Sequence, residues 1–152
     1  MTTITIDDVQ IGNDEKIVFF AGLNVLESSE QAIEVALKLK QISENTGNHL
    51  VFKASFDKAN RTSLKGKRGA GLDASLPVFD KIKKELNVPI LTDIHNIEQC
   101  TVVASHVDVL QIPAFLCRQT DLLISAAKTG KIINIKTVSY THLRAHETVL
   151  DL

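Results

Sequence analysis

Residues 53–61, KASFDKANR, gather two lysines, an arginine and an aspartate at the end of a short apolar run. Lys53, Lys58, Arg61, Lys65, Lys67 and Arg68 lie close together in the chain. Such a cluster can cradle a phosphate or a carboxylate, with arginine as a planar fork and lysine as a mobile point charge. It can also be a solvated surface loop. Lys53 and Ser55 stand two apart in strand phase, so both side chains share one side of the pleat. A lysine at that depth requires an anionic partner. The outer group, Lys65, Lys67 and Arg68, reads as solvated.

Other pairs repeat this spacing. In TDIH, Asp93 and His95 lie on one face of a strand end and can address a single atom, although a satisfied core histidine explains the motif as well. Gln111 and Pro113 in QIPAF stand where a strand leaves the sheet; the proline fixes the exit and the glutamine can hydrogen-bond a ligand. Asn134 and Lys136 repeat the Lys53/Ser55 geometry, making Lys136 a further candidate cation. His142 and His146 have the spacing of a helical metal pair but no third ligand. The sequence contains no Gly-rich phosphate loop, GxSxG elbow or GxGxxG fingerprint.

The elements that must position these residues alternate. TITI at 3–6 predicts a small strand paired with the next few residues, and KIVFFAG at 16–22 a strand buried on both faces. Ser28 and Gln31 form a capping box for a helix with a wide apolar face (Ile33, Ala36 and Leu37, then Val35, Leu39 and Ile42), and Gly47 stops it. Strands are expected at 49–55, 88–94, 107–112 and 131–136. Helices are expected at 76–86, 97–104 and 120–130, the last capped by Thr120 or Asp121. A polar loop runs to about Gly71. Five buried-type strands with helices between them predict a parallel sheet, either a (β/α)8 barrel or a doubly wound open sheet. The polar motifs all begin at C-terminal strand ends, the edge where parallel α/β folds bind ligands.

The chain has 152 residues, with Lys+Arg 17 against Asp+Glu 18, so global charge gives no argument for nucleic acid or an anionic membrane. No apolar run of about 18 residues predicts a membrane span. The acidic, alternating N-terminus is unlike a secretory signal, and Cys100 and Cys117 lack metal spacing. Free thiols in a reducing cytoplasm are therefore expected.

AGLNVLES, VFKASFDKANR, RGAGL, ILTDIH, DVLQIPAFLCRQTDLL and AAKTGKIINIK together resemble the 3-deoxy-D-manno-octulosonate 8-phosphate synthase family, from about Ile4 to Lys136. The resemblance implies a (β/α)8 TIM barrel and a homotetramer. It also implies condensation of phosphoenolpyruvate with D-arabinose 5-phosphate and water, without a cofactor, in a Gram-negative cytoplasm. It assigns Lys53, Ser55, Lys58, Gln111, Ala114 and Lys136 to phosphoenolpyruvate. Asn60, Arg61 and Thr62 fall to the arabinose 5-phosphate side, with Asn24 and Asp93 near its hydroxyls and aldehyde, and Phe115 and Arg118 near a subunit boundary. Lys58 is expected to polarise or protonate the aldehyde oxygen. Asn24 stands where metal-requiring members carry cysteine, so the resemblance is to the metal-independent branch.

The pattern stops at Lys136, after about five βα units of the eight a barrel needs. Residues 137–152, TVSYTHLRAHETVLDL, match nothing in that family and resemble translated read-through of a sequencing adapter. The expectation is a truncated synthase domain at 1–136, inactive by itself, with an apolar sheet edge at 131–136 and an artefactual tail. Two alternatives are a non-catalytic anion-binding fragment and the related seven-carbon synthase of the shikimate pathway, against which KASFDKANR argues.

Overall fold

Ile4–Ile6 (β1) and Val9–Ile11 (β2) pair antiparallel as a small hairpin, with Asp7 in the left-handed region (φ 51°) at its turn. In this computed structural model residues 3–137 are described, except 62 and 64. Thr62, the His142/His146 pair and the tail from 138 onward therefore lie outside the described residues.

After the hairpin the chain alternates as expected. Val18–Leu23 (β3) leads into Ser29–Thr46 (α1), His49–Ala54 (β4), Leu72–Leu86 (α2), Ile90–Asp93 (β5) and Ile97–Ala104 (α3). Val109–Ile112 (β6), Thr120–Lys128 (α4) and Ile132–Ile135 (β7) complete the series. The five later strands form one parallel sheet in the order β3-β4-β5-β6-β7. That order decides between the two topologies left open by the sequence. A doubly wound sheet reverses direction at a switch point. Here every strand adds on the same side of the last, and right-handed crossovers then put all the helices on one face. The result is a singly wound parallel α/β sheet, the arrangement of the (β/α)8 barrel class.

Two apolar clusters result from this layering. The outer one joins strand residues Leu50, Phe52, Ala54, Ile90, Leu110 and Ile112 to helix residues such as Ala36, Phe79, Ile82, Val103 and Ala126. The inner one contains Val51, Leu91 and Val109 from the strands and Ile6 and Val9 from the hairpin, so the hairpin covers the inner face at the N-terminal ends of the strands.

Local signals explain most element ends. The Ser28 hydroxyl accepts from the Gln31 amide at 3.2 Å, and Gly47 (φ 66°) ends α1 in the left-handed conformation. Asn96 caps α3 in the same manner as Ser28 caps α1, its side chain accepting from the Gln99 amide.

Three expectations need correction. Strand 16–22 is not buried on both faces: β3 is a sheet edge, leaving Phe19 and Phe20 47% and 44% exposed. The apolar face of α1 is narrower than its sequence suggests. Ala32 and Ala36 are fully buried, Ile33, Val35 and Leu39 pack partly against the core, and Leu37 and Ile42 face solvent. The residue capping α4 is Gln119, with no side-chain bond, rather than Thr120 or Asp121. In addition, α2 begins at Leu72 and so contains Pro77, which removes one amide donor from the interior of the helix.

Candidate functional site

Register places the polar residues. Leu91 lies beside both Lys53 and Val109, and Val109 beside Ile132, forming an apolar row that Lys53 ends. Two residues further along each strand, the same face presents Ser55, Asp93, Gln111 and Asn134, with Asp93 paired to Gln111 and Gln111 to Asn134. The period-two alternation of strands therefore stacks a polar row directly above an apolar one.

The polar row is a continuous hydrogen-bonded chain. Lys53 Nζ donates to Ser55 Oγ at 2.6 Å, and Lys58 Nζ donates to the same oxygen at 2.9 Å. Ser55 Oγ donates in turn to Asp93 Oδ2 at 2.8 Å, using the full capacity of a hydroxyl. Asp93 Oδ1 accepts from Gln111 Nε2 at 2.8 Å, and Gln111 Oε1 accepts from Asn134 Nδ2 at 2.9 Å. Lys53 Nζ also lies 3.7 Å from Asp93 Oδ1, the anionic partner its depth demands. Ser55, Asp93 and Gln111 are buried, so this network is satisfied internally rather than by solvent.

Above the network lies a cavity of about 650 Å³. Lys53, Lys58, Arg61 and Lys136 bring positive charge to it, while Asn24, Asn60, Asp93, His95 and Gln111 add polar groups. Ala114 and Phe115, in the short 3-10 turn after Pro113, form part of its rim. Burial pulls the Lys53 ammonium down to about 8, against the opposing attraction of Asp93, and the charges of Lys58 and Lys136 lower it further. A half-buried ammonium whose charge is opposed by neighbouring cations is electrostatically prepared for an anion.

His95 is half-buried against the edge of the Phe56 ring, 5.4 Å between centroids, and its Nδ1 is buried without a hydrogen-bond partner. Desolvation holds the imidazole below its ordinary value, so its neutral form is favoured despite Asp93 and Asp57.

The structure brings most of the sequence-chosen residues to this one cavity: Asn24, Lys53, Lys58, Asn60, Arg61, Asp93, His95, Gln111, Ala114, Phe115 and Lys136. Ser55 is fully buried and reaches the cavity only through the two lysines that it accepts from. Arg118 is exposed and does not line the cavity, and Thr62 is outside the described residues. Sequence reasoning missed two participants. Asp57 lines the cavity, and the alternation Lys53, Ser55, Asp57 was a signal that could have placed it there. Asn134 was noted as a neighbour of Lys136 but not as the residue that orients Gln111.

With this geometry established, comparison with known proteins is specific. Residues 1–148 match the DAHP synthetase I family. The chain belongs to that family. Among curated relatives, the 2-dehydro-3-deoxyphosphooctonate aldolase of Chelativorans sp. (strain BNC1) is 57% identical over 133 residues, covering 88% of this chain and 48% of that protein. Proteins of the same name from Mesorhizobium japonicum and Brucella ovis are 53% identical over 135 residues, covering 89% of this chain and 49% of theirs. The chain thus spans about half the length of the curated relatives it matches. The family fold is a barrel, and in the five-stranded sheet Asn24, after β3, and Lys136, after β7, both line the cavity and are exposed.

Proposed function

We propose that this chain carries the phosphoenolpyruvate-binding part, and the start of the pentose-phosphate site, of a 3-deoxy-D-manno-octulosonate 8-phosphate synthase. The single observation that carries this reading is the Ser55 relay, which fixes two ammonium groups over a buried carboxylate at the floor of the cavity. The name of the curated relatives supports the eight-carbon product over a seven-carbon one.

In the reaction, C3 of the enol forms a bond to the aldehyde carbon of D-arabinose 5-phosphate and water adds at C2. The C–O bond to phosphate then breaks, releasing inorganic phosphate. Two substrates that each carry phosphate repel one another, and Lys53, Lys58, Arg61 and Lys136 offset that repulsion. Lys58, held at 2.9 Å from Ser55 Oγ, has further donors free to polarise the aldehyde oxygen. Lys53 and Gln111 fit the carboxylate and phosphate of phosphoenolpyruvate, while Asn60 and Arg61 fit the pentose phosphate. Action without a metal is part of the proposal, with Asn24 contributing a neutral amide to the cavity. So is assembly into a homo-oligomer through the exposed Phe115 and Arg118.

Calorimetric titration with phosphoenolpyruvate, with and without chelator, followed by a phosphate-release assay tests this. Binding that survives chelation and turnover with arabinose 5-phosphate but not erythrose 4-phosphate is the result expected of the complete enzyme. Binding without release identifies an anion-binding fragment. A folded chain that does not bind phosphoenolpyruvate would sink the proposal.

A further inference from the structure

Arg68, four-tenths covered and outside the cavity lining, makes the most specific contact of the basic loop. Its Nε donates to Asp57 Oδ1 at 2.8 Å and its Nη2 donates to Asp57 Oδ2, a two-point fork on a carboxylate that lines the cavity. Backbone contacts close the same point. The Lys58 amide donates to the Arg68 carbonyl at 2.7 Å, the Gly71 amide to Phe56 O at 3.0 Å and the Ala70 amide to Leu26 O at 2.8 Å. Between them, at Gly69 (φ 123°), the returning chain passes so close that an added Cβ would stand 2.5 Å from Phe56 O. Within the loop thus closed, Arg61 Nε donates to Lys67 O at 3.2 Å.

Asp57 is a carboxylate facing an anion cavity beside Lys58 and His95, and unneutralised it would repel the ligand. We infer that Arg68 is a positioning residue: it neutralises Asp57 and latches the base of loop 57–68, so that Lys58, Asn60 and Arg61 present to the cavity without the opposing charge of Asp57. This rests on reading the cavity as an anion site. Of the outer cations that the sequence presented as solvated, Arg68 thereby acquires a task distinct from Lys65 and Lys67.

The test is a titration of the full 152-residue chain with inorganic phosphate, then with phosphoenolpyruvate. Arg68→Gln should weaken phosphate binding about tenfold, the scale of one charge at a partly screened site. The double variant Asp57→Asn/Arg68→Gln should recover most of the loss, because the carboxylate that Arg68 neutralised is gone with it. Circular dichroism selects folded variants, and Arg68→Lys, which restores charge without the fork, should recover only part of the affinity. Undiminished binding by folded Arg68→Gln, or a double variant no better than Arg68→Gln, overturns the inference, as does a wild-type chain that binds no phosphate. If phosphate behaves as expected while phosphoenolpyruvate does not bind, the inference stands and the synthase reading falls.

Discussion

The inner face of the sheet has two ends built from the same strands, and they differ completely. At the N-terminal ends Val51, Leu91 and Val109 pack against Ile6 and Val9 of the hairpin and exclude water. Further along the same face, two residues beyond Leu91 and Val109 and four beyond Val51, Asp93, Gln111 and Ser55 are also buried but hydrogen-bonded, and they lie beneath a charged cavity. The first end supplies transfer free energy and needs only shape. The second must satisfy every polar atom, since one missing partner strands the others in a low-dielectric site. One strand period separates a closed floor from a chemical site.

The largest expected effect comes from removing the carboxylate that the polar end converges on. Asp93→Ala strips Lys53, Ser55 and Gln111 of their acceptor together, and should cost about 3–5 kcal/mol of stability as well as anion affinity. Chemical denaturation alongside phosphate titration measures both, and a variant that loses neither would dissolve the contrast between the two ends.

Leu91→Ala probes the apolar end. It should cost about 2–5 kcal/mol through the cavity it leaves, with phosphate affinity changed less than about threefold at temperatures where the chain stays folded. Affinity falling in step with stability would mean that the floor and the site are one unit.

Proton linkage separates the ends more finely. Lys53, depressed from 10.5 to about 8, loses its charge in the folded chain before the unfolded one does. Between those values the unfolded chain holds more protons, so this group's contribution to stability rises with pH. Anion affinity should fall over the same window as the ammonium neutralises. Titrations from about pH 7 to 10 would show the fall, and Lys53→Arg, charged throughout, should flatten it. A flat wild-type profile would remove Lys53 from the anion site.

The smallest effect is expected at the open edge. Asn134→Ala deletes one hydrogen bond, to Gln111, at an exposed position, and should cost about 1 kcal/mol or less with a modest loss of affinity. A loss approaching that of Asp93→Ala would show that the relay is cooperative across the whole sheet.

Much of this was legible beforehand because periodicity and motif spacing are local. The strand and helix order, the Ser28 cap, the Gly47 stop and the shared face of Lys53 and Ser55 each depend on a few neighbouring residues. The exposure of Phe19 and Phe20 was not legible, because an apolar run reads the same in a central strand and at an edge. Nor was the Asp57–Arg68 fork, whose partners meet only because a loop turns back on itself.

By itself, then, the sequence determined which residues are polar at C-terminal strand ends, and through its motifs which family they suit. Only the tertiary structure decided that β3 to β7 add in a single direction, and that Ser55 serves two lysines at once. It also decided that Asp93 is the acceptor at the centre of the relay. Alternation is written residue by residue along one strand. Register between strands is set by packing across the sheet, and no single stretch of chain contains it.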